Sequence, residues 1–202
     1  ATVGPVPDVD AAIAEAERRY GERGVPAQFL VTDAAEPGDL DRRLAARGYR
    51  VLEACDVLAM RVGAGVLRSD RVEMTAAPTA DWLEVYLSCI SETRRAVAPR
   101  IVARIPEPRI FCTARGADGR AISTALGCAD GAIAVTECVA TRADARRMGG
   151  AEAVLTAVEA WARSIGATSL ALGMVRANAP AQALYAGLGY VRVGGYHIRN
   201  KD

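Results

Sequence analysis

The sequence predicts a mixed α+β fold: a central sheet of mixed strand direction with helices on its faces. Three observations predict it. From Arg71 onward the chain reads strand, helix, three antiparallel strands, helix, strand, helix, strand, which one sheet covered by helices accommodates. Gly116-Ala117-Asp118-Gly119 has hairpin-turn chemistry between two strand-like runs, Arg109–Ala114 and Ala121–Cys128. Gly150–Ile165 is the clearest helix, with Val154, Val158, Trp161 and Ile165 on one stripe and Gly166 as its stop.

The remaining elements follow in order. Ala11–Arg23 reads as a helix, with Asp10 suited to its N-cap and Gly24 to its end. Gln28–Thr32 is a strand, Pro37–Arg47 a helix closed by Gly48, and Tyr49–Val62 one long strand or two short ones. Gly63–Asp70 reads as a linker. Val72–Ala76 is a short strand, and Ala80–Ile90 a helix with Trp82, Val85, Tyr86 and Cys89 on one face. Arg95–Glu107 holds a short helix and a loop. Ala132–Ala140 is the third antiparallel strand, Ser169–Val175 the next strand, Pro180–Ala186 a short helix and Tyr190–Arg199 the last strand.

The order of elements in the N-terminal segment echoes that near the C-terminus. Arg19–Gly24, a strand, a helix and Leu44–Tyr49 run parallel to Trp161–Gly166, a strand, a helix and Tyr185–Tyr190. Leu44 stands where Tyr185 stands, and Pro37 falls near the place of Asn178, so an N-terminal copy would be inactive. Two unrelated helix–strand–helix–strand stretches would look alike as well.

Composition narrows the function classes. Net charge is +1, so no basic field for nucleic acid or anionic lipid is expected. Cys55, Cys89, Cys112, Cys128 and Cys138 are odd in number and lack CxxC spacing, which favours reduced thiols over a disulfide framework or zinc site. His197 is the sole His, so neither a His-rich metal site nor a Cys–His nucleophile is expected, and no metal is assigned. No signal peptide or membrane-spanning run is visible, and the expectation is a soluble cytoplasmic protein.

Chemistry concentrates between Glu137 and Tyr190. Arg146-Arg147-Met148-Gly149-Gly150-Ala151 lies between a strand and the best helix. Gly149 and Gly150 let backbone N–H groups approach a pyrophosphate, the helix start adds its dipole, and Arg146 and Arg147 add charge. An ordinary strand–loop–helix connection is the bland alternative. Asn178 before Pro180 suits a helix cap, and Tyr185 is either a packed aromatic or a proton donor.

These residues carry a resemblance. Arg146-x-x-Gly149-x-Ala151 is similar to the acetyl-CoA motif of the GNAT (Gcn5-related N-acetyltransferase) superfamily. Asn178-x-x-Ala181-x-x-Leu184-Tyr185-x-x-x-Gly189-Tyr190 resembles its second motif, and order and spacing match too. The resemblance implies a GNAT-like acyl-CoA N-acyltransferase domain over 67–202, with 1–66 as a degenerate partial GNAT-like segment of a tandem member. It implies acetyl transfer from acetyl-CoA to a primary amine of a small molecule, amino acid or peptide by direct attack. The alternative is a catalytically silent acetyl-CoA-binding sensor or scaffold. The strand through Cys138, Val139 and Thr141 would part from its neighbour after Ser169 and hold the thioester and pantetheine. Arg146, Arg147, Met148, Gly149, Gly150 and Ala151 would hold the pyrophosphate. Asn178 would contact the cofactor or a water, and Tyr185 would protonate the departing thiolate.

Glu137 is the leading general base, against a solvated strand glutamate, a water chain, or a residue near Glu92–Arg95. Arg94, Arg95, Arg100 and Arg104 are candidates for a carboxylate or phosphate on the acceptor, although a solvated polar stretch is the expected reading for most of them. His197 and Arg199 face either the acceptor or solvent. A homodimer is compatible with the sequence.

Overall fold

The computed structural model describes residues 6–63 and 70–201; most of the expected linker Gly63–Asp70 lies outside them. In chain order the elements are α1 Val9–Gly21, β1 Gln28–Thr32, α2 Leu40–Ala46, β2 Arg50–Arg61, β3 Val72–Thr75, α3 Ala80–Ser88, α4 Glu92–Arg95 and α5 Ala98–Val102. They continue with β4 Arg109–Arg115, β5 Ala121–Asp130, β6 Ile133–Thr141, a 3-10 turn at Ala143–Ala145, α6 Gly150–Ser164, β7 Ser169–Val175, α7 Ala179–Gly187 and β8 Val191–Asn200. The class is mixed α+β, as expected. Two compact units result: a middle unit of Ala59–Leu172, and a terminal unit of Ala1–Leu58 with Gly173–Asp202. β7 contributes residues to both.

In the middle unit the strand order is β7-β6-β5-β4-β3. β3 to β6 are mutually antiparallel, whereas β6 pairs β7 in parallel from Ile133↔Ser169 to Thr136↔Leu172. Pairing ends at Thr136↔Leu172, ahead of Cys138. One face of this sheet buries Phe111 and Leu126 against Trp82 and Val102. The Trp82 ring meets Phe111 edge-on at 5.2 Å, and its Nε1 donates to the Ala125 carbonyl at 3.0 Å, so the indole is buried with its polar atom satisfied.

The other face takes α6, which buries Val154, Val158 and Trp161 as the periodicity predicts. Burial of each such side chain stabilises by about 1.5–3 kcal/mol. Ile165 is an exception: the helix ends at Ser164, and Ile165 sits at its C-cap, 38% exposed. Close packing fixes Gly127, since a Cβ there would lie 2.8 Å from the Trp161 ring.

In the terminal unit the order is β1-β8-β2-β7, with β1 antiparallel to β8 from Gln28↔Asn200 to Thr32↔Tyr196. Exchanging β1 with β7 and β2 with β8 reproduces this order in reverse. Its core is Ile13, Ala27, Val31, Leu40, Leu44 and Tyr49. Asp8, not Asp10, caps α1, accepting from Ala11 N at 2.9 Å. Asp10 instead pairs with Arg43 and Arg47. α2 starts at Leu40, later than the expected Pro37, with Asp39 before it engaging Arg42 and Arg43. No helix among the described residues is long and apolar enough to cross a membrane.

His197 and Arg199 are committed to structure, which removes them from the acceptor candidates. Both reach Asp41, which accepts from Arg199 Nε and Nη2 at 2.8 Å each and lies 2.5 Å from His197 Nε2. Arg199 holds the Asp41 carboxyl down to about 2, with His197 assisting against the cost of burial. A depressed carboxyl stabilises the fold above its unfolded pKa, and the contribution is lost as pH falls towards about 2. Asp41→Asn is therefore expected to cost about 1–3 kcal/mol in urea unfolding at pH 7, because it strips a half-buried guanidinium of its charged partner. The deficit relative to wild type should shrink as pH falls from 4 toward about 2, where wild type itself loses the charge.

Candidate active site

β6 carries one residue more than the stretch of β5 it faces. Leu126 pairs with Glu137 and Thr124 with Ala140, so Cys138 and Val139 together oppose Ala125. This is a β-bulge, and Cys138 absorbs it at φ +54, a left-handed conformation rare for a residue with a side chain. Thr124 Oγ1 braces it by donating to the Cys138 carbonyl at 3.4 Å. A bulge takes peptide groups out of the regular ladder, which is what an oxyanion site needs from its N–H donors.

Glu137 stands at the start of the bulge. Its side chain is exposed, yet surrounding protein removes enough hydration to raise its carboxyl above the usual range, with Arg94 opposing the rise. Beside it, burial first and the neighbouring Cys138 thiol second push the Tyr86 hydroxyl up to about 12. Burial likewise lifts the Cys138 thiol to about 11, and Cys128 is raised by burial and by Glu137. Neutral thiols at ordinary pH are poor nucleophiles, so the Cys residues near Glu137 are lining groups.

The chain leaves β6 at Thr141, whose Oγ1 lies 2.8 Å from Ser123 Oγ and whose carbonyl accepts from Cys89 Sγ. Arg142 is tied back to β5 through its N–H to Ile122 O and its Nε to Ala121 O. The loop then turns left-handed twice, at Arg147 (φ +63) and Gly149 (φ +74), and enters α6. Arg146, Arg147 and Met148 are exposed, and neither arginine forms an ion pair among the described residues. Arg71 Nη2 donates to the Gly149 carbonyl at 3.2 Å.

Capping separates α6 from the other long helices. Asp8 caps α1, Thr79 caps α3 and Asn178 caps α7, each through a side-chain oxygen. Gly149 offers α6 no side chain, and among the described residues no side-chain hydrogen bond reaches the N–H groups of Gly150, Ala151 and Glu152. An uncapped start on a 15-residue helix, flanked by two exposed arginines, fits the charge and donor needs of a pyrophosphate.

Gly150 has a packing duty instead: a Cβ would stand 2.3 Å from Ser123 Oγ.

Asn178 and Tyr185 belong to the terminal unit. Asn178 Oδ1 accepts from Ala181 N at 3.2 Å and so caps α7. Tyr185 is buried and meets Tyr190 edge-on at 5.7 Å. The expected residues thus fall into two sets, with Glu137, Cys138, Val139, Thr141 and Arg146–Ala151 in the middle unit. Sequence reasoning missed the left-handed Cys138, its packing with Tyr86 on the Trp82 cluster and the Arg71 brace. These lacked a readable signal, unlike the Gly149-Gly150 pair and the Asn178 cap.

A bulged strand between an antiparallel and a parallel neighbour, followed by an uncapped helix start, defines the class: an acyl-CoA N-acyltransferase fold. The family model of the Acetyltransferase (GNAT) family matches residues 74–190, more than half of the chain, and the chain belongs to that family. It is accordingly an acetyl-CoA-dependent acyltransferase. An uncharacterised N-acetyltransferase of Bacillus subtilis, YobR, is 24% identical over 93% of this chain and 78% of its own length.

A GCN5-related N-acetyltransferase from Kribbella flavida superposes with a TM-score of 0.72 at 18% identity, covering 96% of this chain and 75% of that one. Another from Sphaerobacter thermophilus gives 0.69 at 18% identity, covering 95% and 67%. A tandem GNAT protein from the clavulanic acid biosynthesis pathway gives 0.70 at 13% identity, covering 95% and 69%. At these identities the structures show the shared fold.

Gly150→Ala is expected to lose about 1–3 kcal/mol of stability, since the new methyl collides with Ser123. Urea unfolding of this variant and of the Gly150→Ala, Ser123→Gly double variant checks the cause. The double variant should recover part of the loss, whereas strictly additive losses would contradict the collision.

Proposed function

We propose that the protein transfers acetyl from acetyl-CoA to the primary amine of a small molecule, amino acid or peptide, by direct attack of the amine on the thioester. The observation that carries this reading is the uncapped start of α6 behind two left-handed residues, directly downstream of the bulged strand. In this reading Arg146, Arg147 and the N–H groups of Met148 to Ala151 hold the pyrophosphate. Backbone around Cys138, Val139 and Thr141 holds the pantetheine and the carbonyl oxygen.

Glu137 takes a proton from the incoming ammonium, directly or through water, and leaves a neutral amine. A C–N bond forms as the C–S bond breaks, the nitrogen gives up its surplus proton to water, and Tyr185 supplies a proton to the sulfur. Asn178 helps position the cofactor from the α7 cap. The strand order of the terminal unit favours residues 1–66 as a degenerate GNAT-like segment beside a domain at 67–202. Five free thiols fit a reducing, cytoplasmic setting, and a homodimer belongs to the same reading.

A silent acetyl-CoA-binding module is the second reading, favoured by the burial of Tyr185 and the capping duty of Asn178. Calorimetric titration of acetyl-CoA, paired with release of free thiol over an amine panel, separates the two. Wild type should bind, and Gly149→Glu should abolish binding by placing a carboxylate among the phosphate donors. Tyr185→Phe should keep affinity and lose about 100-fold in kcat. An unchanged rate would remove Tyr185 from the mechanism, and binding without any turnover would favour the silent module.

Glu137 makes a separate prediction. Its raised carboxyl must be ionised to act, so activity should rise with pH through an apparent pKa above the usual carboxylate range. Glu137→Gln should remove that limb and lower the plateau about 100-fold. A pH profile identical to wild type would show that the base lies elsewhere.

A further inference from the structure

We propose that the acceptor is a primary amine with an apolar, uncharged substituent, and that this substituent lies along an uncovered strip of sheet from Glu137 to Ile133. The proposal rests on the reading of Glu137 as the group that meets the amine. Strand register defines the strip. Across β5 and β6, Leu126 pairs with Glu137, Cys128 with Val135 and Asp130 with Ile133. On the other side of β6, Val135 stands beside Ala171 and Ile133 beside Ser169. Paired residues share a face, and alternate residues of a strand return to it. Glu137, Val135 and Ile133 therefore form one row with steps of about 7 Å, flanked by Cys128 and Ala171. Leu126 places the row on the α3 side, because it packs with Trp82 and Phe111.

The two faces of these strands are covered differently. Gly127 pairs with Thr136 and lies against Val158 and Trp161, so the opposite face belongs to α6. There Ala134, Thr136, Leu170 and Leu172 are at most 2% exposed. On the α3 side the cover stops at Leu126, which is fully buried. Its partner Glu137 is exposed, Cys128, Val135 and Ala171 are half-buried, and Ile133 is 55% exposed. A sheet face left to water ordinarily carries polar side chains. This one sets Cys128, Val135, Ala171 and Ile133 side by side, rimmed by Glu137, Asp130 and Ser169. An apolar patch with a polar rim marks a ligand groove, and its continuity with Glu137 makes the acceptor its occupant.

Charge selects among amines. Glu137 favours the ammonium end. Arg109, which pairs with Cys128 and so shares this face, is engaged elsewhere. Its Nη1 donates to the carbonyls of Ala103 and Ile105, and its Nε lies 3.2 Å from Glu107. Arg95 is engaged as well: its Nε donates to the carbonyls of Leu87 and Ile90 at 2.7 and 3.1 Å, which withdraws it from the acceptor candidates. An anionic substituent on the strip would meet carboxylates at both ends, Glu137 and Asp130, with the guanidinium of Arg109 already taken. A second ammonium would meet Asp130 in open water, where screening leaves little attraction. An apolar substituent gains by leaving water over Val135 and Ile133.

The test is a chain-length series. Straight-chain primary amines from ethylamine to octylamine are assayed with acetyl-CoA and wild type, Val135→Thr, Ile133→Thr and Ile101→Thr. Ile101, 60% exposed on α5, is a control outside the rows of the strip. The ω-amino acids and α,ω-diamines of equal length run beside the alkylamines. With wild type, kcat/KM should rise about twofold per methylene, part of the gain that full burial gives, until the tail passes Ile133. Ile133→Thr should flatten the rise among the longer amines and Val135→Thr from shorter ones, both through KM and with unfolding midpoints kept. Ile101→Thr should leave the slope unchanged.

A flat series overturns the proposal, as does an ω-amino acid or diamine that matches the alkylamine of equal length. A rise that survives both Val135→Thr and Ile133→Thr overturns it too. Turnover of any amine reports on the acetyltransferase reading and the slope reports on the strip, so the two can fail separately. If acetyl-CoA binds without turnover, the alkylamines are titrated into the CoA-loaded protein, and equal affinity along the series then overturns the proposal. Failure to bind acetyl-CoA at all sinks the acetyltransferase reading first, and this proposal with it.

Discussion

Cys138 is held at φ +54 because β6 carries one residue more than the β5 segment it faces. A left-handed conformation in a residue with a side chain costs about 1–3 kcal/mol. Neighbouring interactions hold it there. Thr124 Oγ1 bonds the Cys138 carbonyl, the side chain packs on the Trp82 cluster with Tyr86, and Trp82 Nε1 donates to the carbonyl of Ala125, the β5 residue opposite the bulge. Local strain is thus held by a dry cluster of aromatic side chains on α3 and β4. What the strain obtains is orientation. Glu137 and Cys138 face one side, and peptide groups leave the ladder where a regular strand would keep them engaged.

The same economy operates at the start of α6. A side-chain cap is worth about 1 kcal/mol to a helix. α1, α3 and α7 each take one, and α6 forgoes it. The helix tolerates the omission because its stability comes from packing, with Val154, Val158 and Ala162 fully buried. Ser123 links the two features: its Oγ touches Thr141 at the end of β6 and excludes any side chain at Gly150. Bulge and helix start are consequently set by one short stretch of β5.

The terminal unit is organised by carboxylates that each gather more than one cation. Asp41 collects Arg199 and His197, and Asp56 collects Arg176 and Arg192. Asp56 is buried and accepts from both guanidinium groups, whose hydrogen bonds hold its carboxyl below the usual range. Lone surface pairs contribute little, but these bonds join β2, β8 and the segment after β7 across large sequence separations. Their value lies in fixing register between strands that local sequence leaves free.

Periodicity alone located most elements, and for a physical reason: apolar stripes at helical or strand spacing are local properties. β1 and β7 begin and end where the pattern said, and α6 differs only at Ile165, where the turn after Ser164 leaves the side chain in water. The Gly149-Gly150 pair was legible because glycine is the residue that permits a left-handed, close-packed helix start. The bulge was not legible, since nothing in Glu137-Cys138-Val139 encodes φ +54; the mismatch exists only once β5 is paired. Asp8 replaced Asp10 as the α1 cap because Arg43 and Arg47, distant in sequence, claim Asp10. Arg94 and Arg95 look alike in sequence, and the fold gives one a pair of carbonyls and leaves the other free among the described residues. The sequence by itself determined most of the elements, the family resemblance and the Gly149-Gly150 turn ahead of α6, which depend on local pattern. Tertiary structure decided which charged groups are engaged and which face the bulge, because that depends on partners far along the chain.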